Sequence, residues 1–316
     1  MGAVPAAGIV GMKALWTLAR YEVRSELRLI STWVYFALLF AISFIAMSAF
    51  AGVWTDFDLG SRVQLANAPR LVANLIVFIS IFAVPITSGL AGRAVHRDFE
   101  TRIHPLFFTT PVSKTAYLGG RYLGTVITNL LVFLGIPLGA MVAAAMPWTD
   151  PDRIGPFRLL DAYVAPFALV VIPNVLLTAA LFLVLAALTR RALANQVGGM
   201  VLLLGWAVSR LFANAIDEDW VTHLSDPFGG APLRWATRYW TVAEQNALAI
   251  PLSAPLLANR VLWLAVGLGI MAYGIHQFRF TQFARENAGR PPQGAGDEAP
   301  SLGARLRLPQ PRRSFG

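Results

Sequence analysis

Lys114 and Thr115 form the only Lys–Thr pair in the chain, and such a pair ends the loops that bind nucleotide phosphates. Those loops need glycines before the lysine, because their backbone amides must surround the phosphate. Here the pair follows Pro111, Val112 and Ser113. We therefore expect no nucleotide site, and no bound ATP or Mg, in this chain.

The sequence also lacks the other common catalytic and metal-binding patterns. The four histidines are scattered and no H-E-x-x-H pair of ligands occurs. The chain has no cysteine, which excludes thiolate ligands and a cysteine nucleophile. No serine lies in a G-x-S-x-G turn. These observations predict that the chain is not an enzyme.

The residues best suited to binding another protein lie in Arg93–Arg121, a charged stretch between two long apolar runs that holds five basic residues. Alternating charges are followed by three large apolar residues, and apolar clusters surrounded by charge are typical of partner surfaces. The alternative is a solvated loop whose charges only set membrane orientation. The residues expected at a docking surface are Arg97, Asp98, Glu100, Arg102, Leu106, Phe107, Phe108, Pro111 and Lys114.

Composition places these residues in a membrane protein. The chain is 56% hydrophobic and 14% charged, whereas about 25% of the residues of a soluble domain are charged. The net charge of +9 suits arginines that flank apolar spans and face anionic lipid. The basic patches lack the interleaved aromatic residues that stack on bases, so we expect no nucleic-acid partner.

The apolar runs predict an all-α integral membrane protein with six transmembrane helices in a domain of residues 32–280. The spans are expected at about 32–53, 71–92, 122–148, 162–189, 192–216 and 261–278. Residues 1–31 form an N-terminal segment, and the Gly-, Pro- and Arg-rich residues 281–316 are expected to be disordered.

Basic residues predict the orientation. With the N-terminus inside, 18 of the 26 basic residues lie on the cytoplasmic side, as the positive-inside rule requires. Both termini and a loop at 93–121 are then cytoplasmic, and a loop at 217–259 is outside. We expect the protein in the plasma membrane, the inner membrane of the cell.

The N-terminal segment contains a candidate interfacial helix. Trp16, Ala19, Val23, Leu27 and Ile30 recur every three or four residues and form one apolar stripe. Basic side chains at positions 20, 24 and 28 lie beside this stripe, where they can reach lipid headgroups. An ordinary lead-in to the first span explains the pattern equally well.

Few polar residues lie near the centre of the spans. Asn129 and Asn174 could line a transport pathway, although hydrogen bonds between helices are the commoner role for such residues. Arg210 could attract an anionic headgroup or could end a span at the interface. We treat these three residues as candidate pathway residues.

Three segments resemble a known family. A basic–Asp–x–Glu sequence after the second span, followed by T-P-V-S-K and Y-L-G-G-R, is similar to the coupling segment of ABC-2-type permeases. MPWTDPDRIGPFRL at 146–159 and YWTVAEQN at 239–246 resemble the membrane part of bacterial permeases fused to an M1-type aminopeptidase. No peptidase motif is present, so we expect no peptidase activity.

The resemblance implies a permease subunit of an ATP-driven transporter, most often an exporter. It implies a separate ATP-binding cassette subunit that binds ATP and Mg, and a second six-span half in a homo- or heterodimer. The docking residues named above would face the ATPase, and lipid would surround the spans. The alternative is a non-transporting scaffold that anchors a peptidase or regulatory partner.

Overall fold

The computed structural model describes residues 6–54, 63–100, 113–189, 191–213 and 219–278, all of which belong to one compact unit, Met1–Phe278. Every regular element among these residues is a helix. The predicted disordered tail, residues 281–316, lies outside the described residues.

Helices on the N-terminal side of the chain pair closely with one another. They are α1 (Ala6–Leu27), α2 (Ile30–Phe50), α3 (Pro69–Phe82), α4 (Val84–Glu100), α5 (Lys114–Phe133) and α6 (Gly135–Ala144). The contact of α1 with α5 and that of α2 with α6 are extensive. Helix α5 begins at Lys114 because the side chain of Ser113 accepts a hydrogen bond from the backbone N–H of Ala116 at 3.1 Å.

The second half of the chain completes the bundle. A short 3₁₀ turn (Pro151–Arg153) and two π-helical segments (Leu159–Val164 and Phe167–Val171) precede α7 (Ile172–Thr189). The remaining helices are α8 (Ala192–Ala213), α9 (Asp219–Ser225), α10 (Gly230–Ala236), α11 (Val242–Ala247) and α12 (Ala254–Gln277). Helix α7 packs against both α4 and α12, so it lies in the middle of the described bundle.

Among the described residues, four helical stretches are long and apolar enough to cross a membrane: Ile30–Phe50, Lys114–Ala144, Leu159–Thr189 and Ala254–Gln277. A fifth is the pair Pro69–Phe82 and Val84–Val95, which is bent by 48°. The bend lies next to Pro85, whose missing N–H interrupts the helix. The predicted span at 192–216 corresponds to α8, which is 22 residues long but does not meet the same criterion. The count of six spans and the cytoplasmic termini stay predictions.

Glycines set how closely the helices approach. Gly135 and Gly139 lie against α2, where a Cβ atom at Gly139 would be 2.3 Å from the carbonyl oxygen of Phe40. At Gly274 a Cβ atom would be 2.4 Å from the side chain of Val184. Small residues at such contacts are typical of helices packed in a membrane, because they let the two backbones come together.

Candidate functional site

The predicted docking residues divide between described and undescribed parts of the chain. Arg97 lies near the end of α4 and Lys114 is the first residue of α5. Asp98 and Glu100 are in α4, but their side chains lie outside the described part, as do residues 101–112 with Arg102, Leu106, Phe107, Phe108 and Pro111. The docking surface as a whole therefore stays a prediction.

The stretch 93–121 is not a single loop. Helix α4 continues to Glu100 and α5 starts at Lys114, so 13 residues, 101–113, separate two helices that both extend into the charged stretch, and 101–112 of these lie outside the described residues. Arg93 and Arg97 lie on the first helix and Arg121 lies on the second. All three arginines point towards α1.

Glu22 of α1 joins the two helices. Its side chain is 0% exposed, and its Oε2 atom accepts hydrogen bonds from Arg97 at 2.8 Å and from Arg121, which is itself 1% exposed. The guanidinium groups of Arg97 and Arg121 also lie 5.5 Å and 5.8 Å from the ring centroid of Tyr21. One carboxylate on α1 thus binds the end of α4 and the beginning of α5.

Glu26 repeats the arrangement one turn later. It is 2% exposed and accepts a hydrogen bond from Arg93 at 2.8 Å. Arg97 lies 3.7 Å from its other oxygen. Arg93 also donates to Ser31 Oγ at 2.9 Å and lies 5.7 Å from the ring centroid of Tyr35. We call Glu22, Glu26, Arg93, Arg97 and Arg121 the charge cluster.

Sequence spacing explains how two acids reach this position. Glu22 and Glu26 are four residues apart, so they share one face of α1. Gly120 and Gly124 share a face of α5, and a Cβ atom at Gly124 would lie 2.5 Å from the Cβ of Glu22. The absence of that atom lets α1 approach until Glu22 reaches Arg121.

The buried face of α1 differs from the predicted apolar stripe. Trp16 is 57% exposed and Ile30, which belongs to α2, is 81% exposed, whereas Glu22 and Glu26 are buried. Ala19, which is 1% exposed, lies within the contact with α5. The sequence did contain a signal for this buried polar face. Glu22 and Glu26 are the only acidic residues on a helix whose other charged residues are basic.

Burial dominates the electrostatics of Glu22. Removal from water raises the pKa of its carboxyl above the ordinary value, and the nearby charges of Arg121 and Arg97 oppose this shift. Glu22 stands in α1, outside the membrane-spanning helices. The ion pairs therefore offset only part of the desolvation penalty.

The candidate pathway residues have separate partners. Asn129 is 0% exposed and donates to the carbonyl of Thr125 at 2.8 Å on its own helix. Asn174 donates to the carbonyl of Phe228 at 3.2 Å and accepts from Arg260 at 2.9 Å. Arg210 is partly buried near the end of α8. No hydrogen bond joins the three in the part of the chain that the structure describes, and their role in a pathway stays a prediction.

Arg260 and Asp226 form a second polar network, which sequence reasoning missed. Arg260 is 5% exposed and donates to Asn174 and to the carbonyl of Pro227. Asp226 is 0% exposed and accepts from the backbone N–H of Ala231 at 2.7 Å and from the indole of Trp206 at 3.0 Å. These bonds hold the segment between α9 and α10 against the bundle.

Neither network has the composition of a metal or cofactor site. Among the described residues, no group of three or more histidine or acidic side chains could hold a metal ion. In the charge cluster the carboxylates of α1 are paired with arginines of α4 and α5, so the cluster holds these helices together. Its chemistry suits a contact between elements better than a reaction centre.

Comparison with known proteins identifies the family. Residues 55–240 match the model of a family described as ABC-2 family transporter protein. This segment is more than half of the chain and includes Arg93, Arg97 and Arg121, whereas α1 precedes it. No curated protein is similar enough to the chain to count as a relative. The chain therefore belongs to the ABC-2 family of transporter proteins and is a membrane permease of an ABC transporter.

Proposed function

We propose that the chain is the permease half of an exporter that works in pairs and is driven by a separate ATP-binding subunit. The observation that carries the proposal is the charge cluster, in which Glu22 binds both helices that flank residues 101–112. Those residues contain most of the expected docking surface. A partner that displaced this segment would act directly on α4 and α5.

The proposed coupling has three steps. The ATP-binding subunit binds ATP and Mg, closes, and shifts the segment between α4 and α5. The shift reaches Arg97 and Arg121, and through Glu22 it reaches α1. The ATP-binding subunit can shift the permease between two conformations only by a limited free energy. That limit is the difference between its contact energies with the permease in the two ATPase states.

Co-purification tests the partner. The permease is purified through an affinity tag from its native cells, any ATP-binding subunit that is retained is identified by mass spectrometry, and the variant Asp98→Lys/Glu100→Lys is compared with wild type. We expect wild type to retain the subunit and the charge-reversed variant to lose it, because opposite charges at the docking surface are replaced by like charges. Retention by the variant would contradict docking through these residues.

A second experiment separates transport from the scaffold alternative. In the cysteine-free chain, Trp16→Cys on α1 is labelled with a maleimide in the assembled complex, with and without ATP. Coupling predicts an ATP-dependent labelling rate that Glu22→Gln abolishes while the complex stays intact. Asp161→Asn, which breaks a half-exposed ion pair with Arg158, is the control. ATP-independent labelling in wild type would favour a scaffold.

A further inference from the structure

A cavity of about 370 Å³ lies beside the charge cluster, between the beginning of α2, the middle of α4 and the beginning of α8. Its volume is within the range of small-ligand sites, which is about 300–1,000 Å³. The polar residues that line it include Arg93, Tyr35 and Gln196, together with Glu26 and Arg97 of the charge cluster, so arginines outnumber carboxylates in the lining. The coupling steps above do not use Arg93, Tyr35 or Gln196.

Arg93 supplies a cation at the wall of the cavity. Its side chain is 32% exposed even though it is paired with Glu26. It uses one terminal nitrogen for Ser31 and the other for Glu26, and a guanidinium group carries five N–H donors. Donors therefore remain for an anion in the cavity, and bidentate binding of phosphate is typical of arginine.

Two neutral polar groups accompany Arg93. Tyr35 and Gln196 line the cavity, and neither side chain makes a hydrogen bond to a described residue. A hydroxyl and an amide can both donate to phosphate oxygens or to the glycerol of a headgroup. Arg93 together with these two groups matches a phosphate ester.

Glycine keeps the space open. Gly89 lines the cavity, and the nearest atom to a Cβ atom at this position would be the hydroxyl oxygen of Tyr35 at 4.0 Å. A larger side chain at Gly89 would thus occupy the cavity without meeting the backbone of another helix.

An apolar track leads away from the polar groups. Met200 and Leu204 follow Gln196 at steps of four residues on α8, so the three share one face. Met200 is 65% exposed and Leu204 is 66% exposed. A molecule with its polar end at Arg93 could lay an acyl chain along this face.

We propose that this cavity binds the phosphate headgroup of an anionic phospholipid. The site differs from the exposed arginines of α1, because its cation is paired, partly buried and placed inside a cavity. Salt screens exposed charges more than partly buried ones, so binding here should persist in concentrated salt.

Native mass spectrometry of the purified chain tests the site. The chain in detergent is titrated with phosphatidylglycerol, and with phosphatidylcholine as the neutral comparison, at low and high ammonium acetate. We expect one phosphatidylglycerol to bind more tightly than any further lipid. Arg93→Gln should weaken this first binding about tenfold and Tyr35→Phe about threefold, as expected for a charged and a neutral hydrogen bond.

Matched variants make the test specific. Gly89→Leu fills the cavity and leaves every charge in place, so it should remove the tight binding. Arg24→Gln removes an exposed arginine of α1 that does not line the cavity, so it should leave the first binding unchanged. Wild-type binding by Gly89→Leu, or equal losses in Arg24→Gln and Arg93→Gln, would overturn the proposal.

A soluble competitor distinguishes a lipid from a free phosphate ester. Glycerol 3-phosphate is added at the concentration that saturates the site with phosphatidylglycerol. Persistence of the lipid supports the apolar track, and displacement would overturn the choice of a lipid. The measurement uses neither ATP nor a partner, so its failure would leave the proposed transport function untouched.

Discussion

At the scale of single residues, the ion pair of Glu22 with Arg121 is the most buried part of the charge cluster. Both side chains are buried, at 0% and 1% exposed. Charges in such positions are costly unless they are paired. Each residue therefore depends on the other more than an exposed ion pair would.

Replacement of Arg121 by glutamine should destabilise the protein. Glu22 would remain buried without its main counter-charge, and removal of one partner from a buried pair costs about 3–5 kcal/mol. Thermal unfolding in detergent measures the loss. Asp161→Asn is the control, because its ion pair with Arg158 is half-exposed and contributes at most about 1 kcal/mol. Equal losses in the two variants would contradict the pairing of Glu22 with Arg121.

The pH dependence of stability should also change in Glu22→Gln. Because burial raises the pKa of Glu22, the folded protein holds this proton more tightly than the unfolded chain does. The contribution of Glu22 to stability is then greatest below the unfolded pKa and declines as pH rises through the raised pKa. We expect the free energy of unfolding of wild type, relative to Glu22→Gln, to fall across that interval.

Denaturant unfolding at a series of pH values measures this difference. Subtraction of the variant removes the contributions of the other acidic residues, since both proteins share them. A difference that stays constant with pH, or that grows as pH rises, would show that the pKa of Glu22 is not raised.

At the scale of elements, glycines determine which helices can meet. Gly120 and Gly124 place α5 against α1, where a Cβ atom at Gly120 would lie 2.7 Å from the Cβ of Leu18. The carbonyl oxygen of Leu15 would lie 2.8 Å from the same atom. A side chain at either glycine would thus push against backbone as well as side chains.

Gly124→Leu should separate α1 from α5. The new side chain would overlap Glu22 and the carbonyl of Ala19, so α1 must move outward. The measurement is maleimide labelling of Ala19→Cys, which is 1% exposed before the change and should become reactive after it. Gly205→Leu is the control, because nothing lies within 4 Å of a Cβ atom there. Unchanged labelling in Gly124→Leu would contradict the contact.

The sequence was most informative where a helix is uniformly apolar. The long apolar run in α2 predicts a membrane-crossing helix of about the observed length, whereas the predicted span at 261–278 covers only the later part of α12. The sequence does not reveal that Arg93 and Arg121 lie on helices that contact α1, because their charges locally resemble solvent-exposed sequence. The carboxylates that neutralise them stand 67 and 99 residues away along the chain. No local pattern reveals such a pairing.

At the scale of the whole molecule, the orientation in the membrane is still a prediction, and cysteine labelling tests it. Lys13→Cys and Ala243→Cys both place a reactive group at an exposed position. The charge distribution predicts that they lie on opposite sides. In intact cells an impermeant maleimide should label only Ala243→Cys, and it should label Lys13→Cys after lysis. Labelling of Lys13→Cys in intact cells would reverse the orientation.

The close approach of α1 to α5 has a mechanical consequence. Glycines of α5 pack directly against the backbone of α1, so the contact contains few side-chain rotamers that could absorb movement. We therefore expect α1 and α5 to move as one rigid body. Helix α1 has 22 residues, which corresponds to a length of about 33 Å. A rotation of about 5° at one end would displace the other by about 3 Å over that length. A small displacement of α5 would thus be amplified at the far end of α1.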